Sequence, residues 1–231
     1  MSDPFQRFDA WFSEARASGL PWPEALALGT VGPDGAPSVR MVLLKGVDPG
    51  GWVFYTNTRS RKGQELRDNP RAALCFYWPT LERQVRVEGL VELVSDADAD
   101  AYFASRPRGS QVGAWASAQS EPLDSREALL ARVDAFEARF QGQAVPRPPY
   151  WSGYRLAPSC VEFWQGRPDR LHERTLYQRA GDAWTITLLQ PSCGTLRPDE
   201  PTTAGRPPWC PRVPGARGHA PEARGGHPGY R

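Results

Sequence analysis

Basic residues surround the predicted start of a short helix. Residues 55–62 lead from a strand into this helix, and Arg59, Arg61 and Lys62 lie around its first turn. A helix N-terminus carries partial positive charge and free N–H groups, so cations there are unfavourable unless an anion lies among them. The segment therefore predicts a site that binds a phosphate group. The alternative is a solvated cluster of charges on the surface.

A second pair of cations flanks an apolar run. Arg40 and Lys45 stand at the two ends of Met-Val-Leu-Leu, which we expect to be buried in a strand, with a ligand phosphate as the counter-charge for both ends. Residues five apart point to opposite faces of a regular strand, so either a bulge intervenes or the two cations serve different groups. Only Lys45 and Lys62 are lysine among 28 basic residues. This usage indicates that both positions need a compact ammonium group.

Tyr102, Arg106 and Ser110 form a third polar group. Their spacing places Tyr102 and Arg106 on one face of a predicted helix, and the loop that follows can bring the Ser110 hydroxyl back toward them. Several separated anion sites favour two phosphorylated ligands over one.

A fourth group contains Arg170 and His172 on one side of an extended segment. His172 is the only histidine before the C-terminal tail. A single histidine is more often structural than catalytic, but Arg170 and Arg174 beside it favour contact with an anionic or electron-rich ligand.

The elements that must position these groups are mainly short strands. Helices are predicted over residues 5–18, 60–68 and 126–141, with another starting at residue 95, and strands over 25–31, 38–47, 52–57, 72–78, 84–94, 154–156, 160–165, 174–179 and 183–189. Hairpin-like turns join most of the strands. This order favours an antiparallel barrel over an alternating βα fold. The sequence contains no glycine-rich phosphate loop.

Composition limits the classes of function. A hydrophobic fraction of 40% suits a globular core, and a net charge of +2 does not indicate binding to nucleic acid or membranes. The N-terminus lacks the features of a signal peptide, so we expect a cytoplasmic protein. Cys75 and Cys160 are expected to be buried thiols, and no metal site is predicted. Residues 1–190 are predicted to form one domain, and 191–231 a disordered tail rich in proline and glycine.

Eight ordered motifs resemble the pyridoxamine/pyridoxine 5′-phosphate oxidase family. They are RMVLLK (40–45), FYTN (54–57), SRK (60–62), LERQV (81–85), SRPR (105–108), SQVGAW (110–115), EFWQG (162–166) and RLH (170–172). The resemblance covers residues 3 to 190. It implies a mainly β fold, an antiparallel split β-barrel, that forms a homodimer with flavin mononucleotide (FMN) at the subunit interface.

The resemblance also implies the roles of individual residues. The residues implied for FMN are Arg40, Met41, Val42, Leu43, Leu44, Lys45, Tyr55, Thr56, Arg61, Lys62, Gln84, Gln119, Ser120, Trp164 and Arg174. Those implied for the substrate phosphate are Lys45, Tyr102, Arg106 and Ser110. Arg170 and His172 would lie beside the pyridine ring as substrate-binding and catalytic residues, with Arg170 holding the substrate over the flavin.

The implied reaction is oxidation of either phosphorylated B6 vitamer to pyridoxal 5′-phosphate. Hydride would pass from substrate C4′ to flavin N5, and O₂ would reoxidise the flavin and yield H₂O₂, with ammonia released from the amine substrate. Two alternatives remain open: a related oxidase acting on a substrate such as a phenazine precursor, and a non-catalytic carrier of flavin or pyridoxal phosphate.

Overall fold

Nine strands and five α-helices make up the part of the chain that the structure, a computed structural model, describes, residues 3–191. The predicted tail lies outside these residues, apart from Pro191. The helices are α1 (Pro4–Ala17), α2 (Arg61–Asp68), α3 (Asp96–Ser105), α4 (Arg108–Ala116) and α5 (Arg126–Arg139). The strands are β1 (Ala25–Val31), β2 (Pro37–Leu43), β3 (Gly46–Asp48), β4 (Gly51–Asn57), β5 (Arg71–Trp78), β6 (Arg83–Leu93), β7 (Trp151–Gln165), β8 (Glu173–Ala180) and β9 (Ala183–Leu189).

All strand pairs are antiparallel and form one sheet. Its order is β2-β1-β5-β6-β7-β4-β3, with β8 pairing with β7 and β9 with β8. One edge of β7 pairs with β6, while its other edge pairs first with β4 and then, from Cys160, with β8. Beyond β2, the Lys45 N–H donates to the Val53 carbonyl of β4 and joins the two edges of the sheet. The predicted antiparallel split barrel is confirmed.

The strand β7 is longer than predicted. The sequence predicted two strands interrupted near Pro158, because proline cannot donate to a ladder of hydrogen bonds. The structure keeps a single strand of 15 residues and accommodates Pro158 at a shift of register opposite Gly89. A Cβ atom at Gly89 would lie 2.0 Å from the Ala157 carbonyl oxygen, so only glycine permits this close approach.

The strand β2 ends earlier than predicted and is less buried. It stops at Leu43, and the chain crosses through Leu44 and Lys45 to β3. Met41 is 65% exposed, so the expectation that the whole apolar run is buried is wrong. The side chain lies on an outer face of the sheet, opposite Ala27 of β1.

The two larger of three apolar clusters in the described chain pack the helices against the sheet. The larger one packs α1 against the sheet, with the ring of Phe8 beside Trp52, Phe76 and Trp78. The second packs α3, α4 and α5 against the start of β7, where Trp151 is its centre. The segment predicted as a loop that carries Ser110 is in fact the first turn of α4. This second cluster fixes the helices that carry the third polar group.

Candidate functional site

A cavity of about 810 Å³ lies between β2, β4, α2 and the helices α3 and α4. It brings together eleven of the predicted residues: Met41, Val42, Leu43, Lys45, Tyr55, Thr56, Lys62, Tyr102, Arg106, Ser110 and Gln119. Sequence reasoning did not identify Trp22, Asn57 and Trp151, which also line the cavity. Lys62 of the first group, Lys45 of the second and the whole third group therefore share one cavity.

Lys62 is a buried cation in the wall of this cavity. Its ammonium donates to Gln119 Oε1 at 2.7 Å, and to Thr56 Oγ1 and Ser60 Oγ at 3.2 Å each. All three acceptors are neutral, and within residues 3–191 Lys62 forms no ion pair with a carboxylate. Burial, together with the charge of Arg40 and against that of Glu65, lowers the pKa of Lys62 to about 8. An uncompensated buried charge of this kind attracts an anion.

Helix α2 holds Lys62 in place through its first turn. Ser60 is the N-cap and its side chain accepts from the Gly63 N–H. A Cβ atom at Gly63 would lie 2.2 Å from the Thr58 carbonyl oxygen, so only glycine lets α2 lie this close to the turn that precedes it. The Arg61 N–H donates to Ser120 Oγ at 3.1 Å, which ties the segment after α4 to the start of α2. Ser120 has a φ of 77°, a strained value for a residue other than glycine.

Glu65 supplies the counter-charge for two of the predicted cations. Its carboxylate accepts from Arg40 at 3.0 Å and from Arg61 at 2.9 Å, and also from the hydroxyls of Thr30 and Ser38. Burial raises the pKa of Glu65, but these hydrogen bonds outweigh it and lower the pKa to about 2. Within residues 3–191 Arg40 thus has a carboxylate partner in Glu65 while Lys45 lines the cavity, so the two cations serve different groups; the contact of Arg40 with FMN stays a prediction.

An aromatic stack carries Arg106 at the other side of the cavity. The ring of Tyr55 lies 4.1 Å from that of Tyr102 and 5.3 Å from that of Trp151, centroid to centroid. The Arg106 guanidinium lies over Trp151 at 4.7 Å. Its NH1 atom is buried without a hydrogen-bond partner among the described residues, and burial lowers the pKa of Arg106. Arg106 is thus a second cation that lacks a counter-charge.

The fourth basic group lies elsewhere, in a row across three strands. Gln84 of β6 pairs with Trp164 of β7, which pairs with Arg174 of β8. The ring of His172 packs on Trp164 at 4.6 Å, and the Arg174 guanidinium donates to the buried Glu162 at 2.7 Å. We call Gln84, Trp164, His172 and Arg174, together with Arg170, the β8 row.

Arg170 begins the β8 row on a strained turn. Arg170 and the preceding Asp169 have φ values of 59° and 55°, and Arg170 is exposed. Two consecutive residues other than glycine rarely adopt this left-handed conformation, and strain of this kind concentrates at functional sites.

The β8 row and the cavity lie at opposite ends of β7. Thr56, in the cavity, pairs with Ser152, and Trp164 follows Ser152 by twelve residues on the same strand. At about 3.3 Å per residue this is roughly 40 Å of strand.

Four more predicted residues lie outside the cavity lining. Arg40 and Arg61 pair with Glu65, Ser120 accepts a hydrogen bond from the start of α2, and Leu44 lies in the core.

Two further observations bear on the composition-based expectations. No helix within residues 3–191 is long and apolar enough to cross a membrane. Cys75 and Cys160 are free and half-buried, and burial raises the pKa of both thiols, that of Cys160 to about 11.

A split antiparallel barrel with these features belongs to the flavin-binding split-barrel class, and comparisons with known proteins define the family. The family model "Pyridoxamine 5′-phosphate oxidase" matches residues 12–140, and "Pyridoxine 5′-phosphate oxidase C-terminal dimerisation region" matches residues 151–191. The chain belongs to the pyridoxamine 5′-phosphate oxidase family.

Individual relatives agree with this assignment. The chain is 58% identical to the pyridoxine/pyridoxamine 5′-phosphate oxidase of Rubrobacter xylanophilus, over 82% of this chain and 87% of the relative. It is 59% identical to that of Sphingopyxis alaskensis, over 82% and 88%. The crystal structure of PhzG from Burkholderia lata with tetrahydrophenazine-1-carboxylic acid matches with a TM-score of 0.79 at 36% identity, over 83% of this chain and 94% of PhzG. An FMN-binding protein of Nostoc punctiforme shares the fold, with a TM-score of 0.67 at 22% identity, over 83% of this chain and all of that protein.

Proposed function

We propose that the protein is an FMN-dependent oxidase that converts pyridoxamine 5′-phosphate or pyridoxine 5′-phosphate into pyridoxal 5′-phosphate. O₂ is the electron acceptor, H₂O₂ is a product, and the amine substrate also yields ammonia. The observation that carries the proposal is that Lys62 and Arg106 line one cavity, each without a carboxylate partner in the described chain. Two such cations suit two anionic ligands, a cofactor phosphate and a substrate phosphate.

The Lys62 side of the cavity fits the phosphate of FMN. Lys62, Thr56 and Gln119 already form a connected polar group there, and the start of α2 adds its positive end. A terminal phosphate monoester matches this site, which favours FMN over flavin adenine dinucleotide. FMN, when bound, supplies the hydride acceptor of the reaction. The chain's own residues bind and orient the two ligands.

The Arg106 side fits the substrate phosphate. Lys45 and Ser110 line the same cavity as Arg106, and Tyr102, which also lines it, stacks on Tyr55. Arg106 has free donors because its NH1 atom has no partner in the described chain. Charge-assisted hydrogen bonds from Arg106 would hold a phosphate in a fixed orientation.

The β8 row completes the site from a second subunit in this proposal. Roughly 40 Å of strand separates the row from the cavity, which favours a ligand that contacts the cavity of one subunit and the row of another. Trp164, Arg170, His172 and Arg174 all fall within residues 151–191, the part that matches the dimerisation region. Arg170 and His172 of one subunit would then hold the pyridine ring in the cavity of the other, with Arg170 aligning it for hydride transfer.

Turnover by the purified protein tests this proposal directly. Protein reconstituted with FMN is incubated with pyridoxamine 5′-phosphate or pyridoxine 5′-phosphate, and the aldehyde absorbance and H₂O₂ are followed. We expect both substrates to be oxidised, while pyridoxine without its phosphate is a much poorer substrate. A carrier would bind these compounds without turnover. An oxidase that prefers a phenazine precursor over both phosphates would contradict the substrate assignment.

The affinity for FMN should depend on pH through Lys62. An anionic phosphate raises the pKa of the neighbouring ammonium above its ligand-free value of about 8. Between those two pKa values binding takes up a proton, so the affinity should fall by up to about tenfold per pH unit above pH 8 and level off near pH 7, below which protonation of the phosphate itself, with a second pKa of about 6, lowers it again. Fluorescence titration of the apoprotein with FMN from pH 6 to 9.5 measures this. The same bend in the Lys62→Met variant would assign it to another group.

A further inference from the structure

Trp22 is an exposed indole on the wall of the cavity. It is 66% exposed and lines the cavity together with Lys45, Tyr102, Arg106 and Ser110. Every other tryptophan between residues 3 and 191 packs against another ring, whereas Trp22 has no ring partner within those residues. Its aromatic face is therefore available to a ligand.

The backbone holds Trp22 in an unusual conformation. Its φ is 56°, in the left-handed region that bulky residues rarely adopt. Pro21 and Pro23 flank it, and two hydrogen bonds fix the segment: Ala25 N–H donates to the Trp22 carbonyl, and Trp78 Nε1 donates to the Pro23 carbonyl, both at 2.9 Å. Backbone strain at a residue whose ring packs on no other ring indicates that the side chain contacts a ligand.

The same segment is tied to the end of the cavity where Lys45 lies. The Glu24 carbonyl accepts from the Leu44 N–H at 2.9 Å, and Leu44 directly precedes Lys45. This hydrogen bond links the segment of Trp22 to the backbone beside Lys45, one of the cations assigned to the substrate phosphate.

We propose that Trp22 covers the aromatic ring of the substrate and selects planar ring phosphates over other phosphates. This inference rests on the proposed function and names one specificity-determining residue in it. Two aromatic rings attract one another in offset-stacked or edge-to-face arrangements, and an indole offers a large apolar surface to a bound ring. The Arg106 group binds the phosphate, while Trp22 recognises the ring attached to it.

Ligand binding without turnover tests this role. The probe is 4-deoxypyridoxine 5′-phosphate, which has a methyl group in place of the oxidisable group at C4′, titrated by calorimetry into flavin-loaded protein. Trp22→Ala should weaken its binding by about tenfold, and Trp22→Phe by less than about threefold because it keeps an aromatic face. Binding of inorganic phosphate should be unchanged in both. The control is Leu90→Ala, at an exposed apolar side chain outside the cavity lining, which should bind like wild type.

Three results would overturn the inference, and they are distinguishable. Equal binding of the probe by Trp22→Ala and wild type means that Trp22 does not contact the ring. An equal loss for the probe and for inorganic phosphate means that Trp22 only shapes the cavity. Wild-type protein that binds inorganic phosphate and flavin but not the probe refutes the proposed substrate itself, and the Trp22 inference fails with it.

Discussion

Replacing Lys62 by methionine is expected to weaken FMN binding by roughly 30- to 4000-fold. Removing one partner of a buried, hydrogen-bonded charge pair costs about 2–5 kcal/mol, and about 1.4 kcal/mol corresponds to tenfold in affinity. Lys62 is buried and has only neutral partners in the described chain, so the cofactor phosphate would be its main counter-charge. Equilibrium titration of apoprotein with FMN, followed by flavin fluorescence, measures the change.

A second cation of the same helix serves as the matched control. Arg67 lies in the last turn of α2, is largely exposed and pairs with Asp68. Arg67→Met removes one positive charge without touching the cavity, so it should change the affinity for FMN by less than about threefold, as expected for an exposed charge pair. Equal affinities of Lys62→Met and Arg67→Met would refute the assignment of the phosphate to Lys62.

Substitution of Arg106 and of Arg170 should impair turnover in different ways. Under the proposed function, Arg106→Ala would remove hydrogen bonds to the substrate phosphate that are present in both the ground state and the transition state. It should therefore raise KM by roughly 10- to 150-fold, about 1.5–3 kcal/mol, and change kcat little. Arg170→Ala removes alignment over the flavin, so kcat and kcat/KM should both fall, by about tenfold or more. Anaerobic flavin reduction at varied pyridoxine 5′-phosphate concentration separates the two effects.

The same two variants test whether the site is shared between subunits. In a mixed dimer of Arg106→Ala and Arg170→Ala chains, one site carries both substitutions and the other carries neither. Co-expressed chains with different affinity tags should therefore recover about half of the wild-type activity per mixed dimer, although each parent dimer is impaired. A mixed dimer no more active than its parents would show that the β8 row and the cavity do not meet across the interface.

Much of the fold follows from local sequence signals. Hairpin turns, apolar periodicity and alternating apolar residues predicted most strands and four of the five α-helices near their observed ends, whereas α4 begins in a segment predicted as a loop. The continuity of β7 was missed because Pro158 usually ends a strand, and only the register against Gly89 accommodates it. That register is a property of the tertiary pairing and is invisible in the segment itself.

The sequence predicted which charged residues line the site better than it predicted the groups with which they pair. Spacing around α2 and α3 indicated two anion sites, and Lys62 and Arg106 line one cavity. Arg40, like Lys45, stands at one end of the apolar run, but it pairs with Glu65. Glu65 is far from Arg40 in the sequence, so residue spacing did not predict this contact. Trp22 carried no signal, because its importance lies in backbone conformation and in a missing ring partner within the described chain.

Under the proposed function, the unpaired cations of the cavity would also couple cofactor supply to the lifetime of the protein. A ligand that binds only the folded chain raises the free energy of unfolding with its concentration, by about 2.7 kcal/mol at a hundred times the Kd. Lys62 and Arg106 make the empty site electrostatically unfavourable, so the folded chain gains more from occupancy than contact area alone suggests. Newly made chains in a flavin-poor cell would spend more time unfolded and be degraded faster, so abundance of the enzyme would follow the availability of its cofactor.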